Sequence, residues 1–367
     1  MSRYPILVAL NQISTVRWQT VKFLIESGWK PSDLVPHKLL DQLLLLGVKS
    51  AEIQKIRQTL TSAFIAETTQ ELKKQNIQTV TFFDEEYPAL LKEIAQPPWV
   101  LYVRGDASLL SGKALAVVGT RRPTPYGLRA ARELVAGLVA LDWTIVSGMA
   151  SGIDGEAHRS ALEAKGRTIA VLGTGVDVIY PKHHRSLYEK IAREGAVISE
   201  MPPGTQPFPW VFPQRNRIIS GLSQGTLVIE AAERSGSLIT AEFSMEQGRE
   251  VFAVPGPMTS RQSQGTLQLI QDGAKCVRSV SDIAEELEGL HFAASLSACM
   301  NKSDKINLNN IEEQVYQQIA PDKPIHIDLL IERLRQKGIA AEIHQALLAL
   351  EMKKLIAQLP GARYIRK

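Results

Sequence analysis

The sequence predicts an α/β fold with a doubly wound, mainly parallel sheet, set between a helical N-terminal segment and a C-terminal winged-helix segment. Three observations predict it. Short apolar runs at 115–118, 144–146, 168–172, 196–198, 226–229 and 250–254 mostly alternate with stretches of helical character. Parallel strands covered by helices on both faces read as near-continuous apolar runs of this kind. Before residue 76 the apolar positions recur at helical spacing, and after residue 308 two helices share an apolar seam ahead of a terminal hairpin.

Size and composition are consistent with that plan. A chain of 367 residues fits two or three domains at about 150 residues each. A hydrophobic content of 44% supplies a core and excludes a disordered chain. The net charge of +4 is too small to define a nucleic-acid binder by itself, so any such surface must be a local basic patch. Cys276 and Cys299 stand far apart with no CxxC, which argues against a zinc site or a disulfide scaffold and for a reducing compartment. The N-terminus lacks a signal-peptide pattern, and no apolar run approaches the roughly 20 residues of a membrane helix. The expectation is a cytoplasmic protein with no membrane partner.

Taken in order, 1–76 reads as a helical domain. Val16, Thr20, Phe23 and Leu24, then Ile53, Ile56 and Leu60, fall at helical spacing, and Gly28 and Pro31 break the pattern. The run Leu43–Val48 ends a helix at Gly47, and another begins near Ser50, the outline of a helix-hairpin-helix or SAM-like module. Lys49 replaces the second glycine of a DNA-binding hairpin turn, which favours a structural or protein-contact role. The sheet domain spans 77–288, opening with an alternating strand at 77–82 and a second at 101–105. A small-residue linker follows over 289–307. The winged-helix domain, 308–367, takes its seam from Ile327, Leu330 and Leu334 facing Ile343, Leu347 and Leu350. Its helix over 340–352 carries Glu342 and Glu351 against His344, Lys353 and Lys354, a poor groove-reading face that favours an auxiliary role.

Ligands of open α/β sheets collect beyond the carboxyl ends of the strands. Four strand-end segments there carry candidate binding residues. The first is Gly119-Thr120-Arg121-Arg122, where two adjacent arginines in a tight turn repel each other unless an anion lies between them. The second runs from Ser147-Gly148 to Asp154 and His158. Asp154 and His158 lie four apart on one helical face, as an acid–base pair or as a helix cap beside a buried histidine. The third holds Gly173-Thr174-Gly175 and, after Tyr180-Pro181, Lys182. It fails the dinucleotide fingerprint because Val178 stands where the last glycine belongs. The fourth is Arg215-Asn216-Arg217, read as lying beyond a proline-rich extended stretch and ahead of a buried strand. One of its arginines is expected to face the ligand and the other an acidic partner such as Glu230. Ser235-Gly236-Ser237 then offers hydroxyls at a helix start, and Phe208, Trp210 and Phe212 either stack bases or pack a loop against the sheet. No P-loop, HExxH, GxSxG or two-metal carboxylate cluster is present, so no cofactor and no catalytic residue is assigned.

Taken together, Val117-Val118-Gly119-Thr120-Arg121, Ser147–Asp154, Ala170–Gly175, Tyr180-Pro181, Arg215–Ile219, Ser235–Ala241 and Val254-Pro255-Gly256 closely resemble the DNA processing protein A family (DprA, also called Smf). The resemblance covers about 115–277. It implies a Rossmann-like domain that binds single-stranded DNA without sequence specificity, protects incoming strands during natural transformation and loads the RecA recombinase. It also implies a homodimer formed through that domain and no enzymatic turnover. By motif, the family's DNA-contacting arginine falls on Arg121 and its lysine on Lys182. The candidate DNA contacts are therefore Gly119, Thr120, Arg121, Arg122, Ser147, Gly148, Gly173, Lys182, Arg215, Asn216, Arg217, Ser235, Gly236 and Ser237. The family's more usual Gly-Ser-Arg is Gly119-Thr120-Arg121 here, and His183-His184 departs from the small or polar residues usual after the lysine. The rival is a nucleotide-metabolising enzyme or nucleotide sensor of the Rossmann-like phosphoribohydrolase type, whose Pro-Gly-Gly loop is missing ahead of Glu230.

Overall fold

The computed structural model describes residues 3–35, 37–288, 309–320, 324–335, 342–353 and 355–366. The expected linker, Cys299, Lys354 and the start of the helix expected from 340 lie outside the described residues. The chain forms two compact units, divided after Gly289.

Five helices open the first unit: α1 (Pro5–Asn11), α2 (Trp18–Glu26), α3 (His37–Leu45), α4 (Ser50–Thr59) and α5 (Ser62–Lys74). Gly47, at φ +83°, ends α3, and the Val48 N–H returns to the Leu43 carbonyl at 3.0 Å. That left-handed glycine closure explains why the apolar run stops where it does. Leu7, Leu10, Leu24, Leu43, Ile53 and Ile56 are buried in one cluster with Val100 and Tyr102 of the sheet. The Tyr102 hydroxyl donates to Asn11 Oδ1 at 2.9 Å. The helical segment thus covers an edge of the sheet. Deleting residues 1–75 uncovers Val100 and Tyr102, both 0% exposed. The shortened chain is expected to melt at a clearly lower temperature and to bind a hydrophobic dye, and an unchanged melt would show that the sheet stands alone.

The sheet has nine strands: β1 (Gln78–Thr81), β2 (Val100–Gly105), β3 (Ala114–Val118), β4 (Thr144–Ser147), β5 (Thr168–Val171), β6 (Ala196–Ser199), β7 (Gly225–Val228), β8 (Glu250–Ala253) and β9 (Lys275–Cys276). Their order is β1-β2-β6-β5-β4-β3-β7-β8-β9. β1 and β2 pair antiparallel and add to an otherwise parallel sheet. A short helix α6 (Ala89–Lys92) lies between β1 and β2, and the crossover helices are α7 (Pro125–Ala140), α8 (Ile153–Glu163), α9 (Arg185–Glu194), α10 (Val211–Gly221), α11 (Gly236–Glu246) and α12 (Gln264–Gln271), with α13 (Val280–Glu288) last. Both faces of β3 are buried. Leu115 and Val117 join Leu134, Val135 and Leu138 of α7, while Ala116 and Val118 join Ile218 and Ile219 of α10. Period-2 alternation between two covered faces is why β3 carries no polar residue.

The chain steps outward from β3 to β6, then returns through α10 to place β7 on the other side of β3. Strand order therefore reverses between β3 and β7. The segment expected to be extended ahead of β7 is instead helix α10. Pro213 is its third residue, within the first turn, where the missing N–H breaks no bond. The proline content of 202–213 marks the approach to a helix, and Ile218 and Ile219 belong to the helical face that buries on the sheet. Among the described residues, no helix is long and apolar enough to cross a membrane.

The second unit contains α14 (Asn310–Gln317), β10 (Ile325–His326), α15 (Ile327–Arg335), α16 (Ile343–Met352), β11 (Ile356–Leu359) and β12 (Arg363–Arg366), with strand order β10-β12-β11. This is a winged-helix arrangement. Asn309 and Glu312 form a reciprocal capping box at the start of α14. The expected seam is present, with Leu330, Leu334, Ile343, Leu347 and Leu350 all buried together. Outward, α16 shows Leu348 and Met352 at 60% and 78% exposure. Its Lys353 pairs with Glu312 of α14 at 2.6 Å. With His344, Gln345 and Glu351 also exposed, that surface is mixed, where a phosphate-reading helix is cationic.

Candidate nucleic-acid interface

The carboxyl ends of β3, β4 and β5 open into a shallow cleft whose walls include Arg121, Gly148, Ser151, Gly173, Tyr180 and Phe212. Among the described residues, no carboxylate lines it. Arg215 forms part of its floor, and Asp154 is buried close enough for the two charges to act on each other. Arg215 of α10 is only 6% exposed, and its Nη1 donates to the carbonyls of Gly148 (2.7 Å) and Val171. Asp154 of α8 accepts from the Gly148 N–H at 3.2 Å and also from the amides of Ala150 and Gly119. A β-carbon on Gly148 would lie 2.6 Å from the Arg215 guanidinium, so any side chain there would have to displace this arginine from its carbonyls. Burial lowers Arg215 to about 10, Asp154 opposes that shift, and the nearby charge of Arg121 adds to it. Burial likewise pushes the Asp154 carboxyl up to about 6 against the pull of Arg215.

Four expectations change at this point. Gly152, at φ +86°, occupies the N-cap position of α8, and Asp154 gathers loop amides instead of capping the helix. Arg215 is a floor strut, since its donors reach backbone carbonyls of two neighbouring strand ends. Arg217 forks onto Glu200 at 2.8 and 2.6 Å, so its acidic partner is Glu200 and not Glu230. Helical geometry turns residues two apart about 200° from one another, which sends Arg217 toward the end of β6. Ser147 is fully buried, and its hydroxyl donates to the Val117 carbonyl at 2.6 Å, inside the sheet.

The remaining candidates divide in the same way. Asn216 Nδ2 donates to the Gly236 carbonyl at 3.2 Å, tying α10 to the start of α11. Ser235 caps α11, and its hydroxyl lies 2.8 Å from that of the buried Ser237. Gly236 is exposed beside them. Thr120 is buried and accepts from the Arg122 N–H at 3.2 Å, while Gly119 packs on Ile153 of α8. Gly173 lines the cleft under Phe212. Arg121, Arg122 and Lys182 are exposed and, among the described residues, have no ion pair.

Lys182 opens a short 3-10 turn, Lys182–His184, which follows a cis Tyr180–Pro181 peptide. The two histidines of that turn have separate partners. His184 is buried and donates from Nδ1 to the Met149 carbonyl at 3.0 Å; burial holds its pKa below the ordinary value. His183 Nε2 lies 3.1 Å from the Ser151 hydroxyl at the rim. The aromatics also separate: Phe212 meets Tyr180 at 5.3 Å on the cleft wall, whereas Phe208 and Trp210 stack on each other at 6.2 Å, 47% and 57% exposed. Ser151 and Tyr180 stand in the motif segments without a local sign of cleft lining, and Phe212 is one of three aromatics whose stacking or packing role the sequence leaves open.

His158 is the buried histidine of the alternative reading. It is 0% exposed, and Nδ1 donates at 2.7 Å to Thr168 Oγ1, whose proton goes to the Ile145 carbonyl. Burial, then the charges of His184, Arg215 and Arg159, hold it at about 3, below its ordinary 6.5. A histidine depressed in the fold is protonated first in the unfolded chain, so its stabilising effect is lost as pH falls from 6.5 toward 3. Wild type is expected to lose about 2 kcal/mol from this group between pH 6.5 and pH 5. Urea midpoints of wild type and His158→Gln at both pH values check this, and equal pH slopes would contradict it.

The crevice between β3 and β7, where doubly wound folds hold nucleotides, is closed. Glu230 is 2% exposed and accepts from the Thr124 N–H at 2.9 Å and the Thr124 hydroxyl at 2.6 Å. Thr124 is the N-cap of α7, so a protein carboxylate holds the place of a nucleotide phosphate at that helix terminus. The Thr120 N–H meets the Glu230 carbonyl at 2.7 Å and seals the loop.

Fold and cleft together define a doubly wound α/β protein with an arginine-lined cleft over β3–β5, free of carboxylates among the described residues, in place of a dinucleotide crevice. The family model for DNA recombination-mediator protein A matches residues 78–288, more than half the chain, and the DprA winged helix domain matches 302–362. The chain belongs to the DNA recombination-mediator protein A family. It is 48% identical over 216 residues to DNA processing protein DprA of Bacillus subtilis, covering 59% of this chain and 73% of that one. The X-ray structure of DNA processing protein A from Streptococcus pneumoniae matches with a TM-score of 0.70 at 37% identity, over 78% of this chain and 99% of that one. DNA processing protein A from Helicobacter pylori, whose structure presents that protein's single-stranded DNA binding mode, matches at 29% identity with a TM-score of 0.52, over 60% of this chain and 96% of that one.

Proposed function

We propose that this protein binds single-stranded DNA without sequence specificity and acts as a recombination mediator, protecting incoming strands and loading RecA onto them during natural transformation. The observation that carries the reading is the cleft itself: Arg121 lines it, Arg122 and Lys182 directly follow lining residues in the chain, all three are exposed without an ion pair among the described residues, and no carboxylate among the described residues lines the walls. Cations and loop amides bind a phosphate backbone without reading base edges. Tyr180 and Phe212 on the same wall provide faces on which any base can stack. The Helicobacter pylori relative, with its single-stranded DNA binding mode, supports the same ligand class.

A binding role without turnover fits the placement of the acidic groups. Glu230 is bonded to Thr124, and Asp154 is buried and accepts from loop amides, so neither lines the cleft as a free acid or base. Incubation with nucleoside monophosphates tests the rival phosphoribohydrolase reading, and release of free base would overturn ours. The boundary between a helical and a sheet domain near 76, the homodimer through the sheet-bearing unit and the cytoplasmic location belong to the same proposal. Light scattering checks the dimer, and two aligned clefts would raise avidity for a long strand. The deciding experiment is a salt-titrated gel shift on single-stranded and duplex DNA. Preferential single-strand binding that weakens linearly with log salt is expected. Salt-independent binding, or a preference for duplex, would count against the proposal.

A further inference from the structure

We propose that the bound strand continues past the cleft, across the carboxyl edge of the sheet, to a second pair of phosphate contacts at Arg234 and Arg261. This rests on the single-stranded DNA reading above. A row of close contacts joins the two places. The Lys182–His184 turn touches the β4 loop, with His183 Nε2 3.1 Å from the Ser151 hydroxyl. The β4 loop touches the β3 loop through the Ile153 N–H and Thr120 carbonyl at 3.2 Å, and the β3 loop touches the end of β7 through Thr120 and Glu230 at 2.7 Å. The end of β7 touches the turn after β8, the Ala231 N–H donating to the Gln262 carbonyl at 2.8 Å. Arg261 opens that 3-10 turn, and Arg234 lies in the β7–α11 loop.

Lys182, Arg121, Arg122, Arg234 and Arg261 therefore lie along one edge on the loops after β5, β3, β7 and β8, with the uncharged β4 loop between the first two. All five are exposed and, among the described residues, their side chains make no ion pair or hydrogen bond. This contrasts with Arg215, Arg217 and Arg249, which bond to backbone carbonyls or carboxylates. Glu233, next to Arg234, is the nearby exposed carboxylate, and it too makes no ion pair among the described residues. The Glu230 plug is what permits this path. With the β3/β7 crevice filled, the edge there is a continuous surface and not a pocket that would draw a phosphate inward. From β5 to β8 the strands step four times, roughly 19 Å at about 4.8 Å per step. At a duplex-like rise of about 3.4 Å per nucleotide that is no more than about six nucleotides.

The test measures binding of a twelve-residue oligothymidylate by full-length wild type, Arg234→Ala with Arg261→Ala, Arg234→Lys with Arg261→Lys, and Arg121→Ala with Lys182→Ala, across a salt series. The Arg234/Arg261 alanine pair is expected to bind about tenfold more weakly, with the salt slope lowered by about 1.4, the value for two lost single-strand phosphate contacts. The lysine pair is expected to restore the slope, since phosphate neutralisation needs only the charge. A wild-type slope in the alanine pair, or the same loss in the lysine pair, would overturn the path. If the alanine pair behaves like wild type while the Arg121/Lys182 pair fails to bind, the path falls and the cleft stands. If neither pair changes binding, the cleft reading falls as well.

Discussion

A chain carrying Arg121→Ala and Lys182→Ala is expected to bind single-stranded DNA about a hundredfold more weakly while melting at the wild-type temperature. Charge-assisted contacts contribute about 1.5 kcal/mol or more each, and two of them amount to roughly two decades of affinity. Stability is untouched because both side chains are exposed and hold no ion pair among the described residues. Removing Arg121 also relieves Arg215, whose pKa the Arg121 charge lowers, so the floor of the cleft is slightly favoured by the change. The salt slope should fall by about 1.4 in parallel. Wild-type affinity in a folded double variant would remove the cleft from the binding site.

Arg215→Ala is expected to act in the opposite way, on the fold more than on the contact. It takes a buried guanidinium from the Gly148 and Val171 carbonyls and leaves Asp154 buried without its opposing charge. Losing charge-assisted bonds to two buried carbonyls costs about 1.5–3 kcal/mol each. The pH dependence identifies the cause. Asp154 is already raised to about 6, and loss of Arg215 raises it further. A carboxyl raised in the fold is stabilising while protonated, and that contribution is lost as pH rises through the folded value. The deficit of Arg215→Ala should therefore be largest near pH 8 and shrink toward pH 5 in urea titrations. Arg215→Lys keeps a charge but not the forked donors, and an intermediate deficit is expected. If Arg215→Ala melted like wild type and lost only DNA affinity, Arg215 would be a contact and not a strut.

These two arginines show how far the sequence reaches. Arg121 stands in a strand-end turn and Arg215 on α10, and from the sequence both are candidate ligand contacts. Arg121 emerges on a turn with nothing opposite it, whereas Arg215 points inward to carbonyls 67 and 44 residues away in the chain. Local composition carries no information on such a partner. The same limit applies to Arg217, whose partner proved to be Glu200, and to Glu230, which closes the β3/β7 crevice through Thr124. The prolines over 202–213 suggest extension ahead of β7, whereas the one inside helix Val211–Gly221 sits in its first turn, where it breaks no bond.

By itself the sequence determined the alternation of buried strands with helices, the winged-helix seam, the failed dinucleotide fingerprint and the loops that could hold phosphate. Each is encoded by residue type at short spacing, where covalent geometry and periodic burial act directly. Only the tertiary structure decided which cations remain free for a ligand. A guanidinium is available or engaged according to the carboxylates and carbonyls the fold brings within hydrogen-bond reach, and those arrive from distant strands. It likewise decided that the N-terminal helices and the sheet share one buried cluster, because the apolar faces of α1–α4 match β2 only once both are folded.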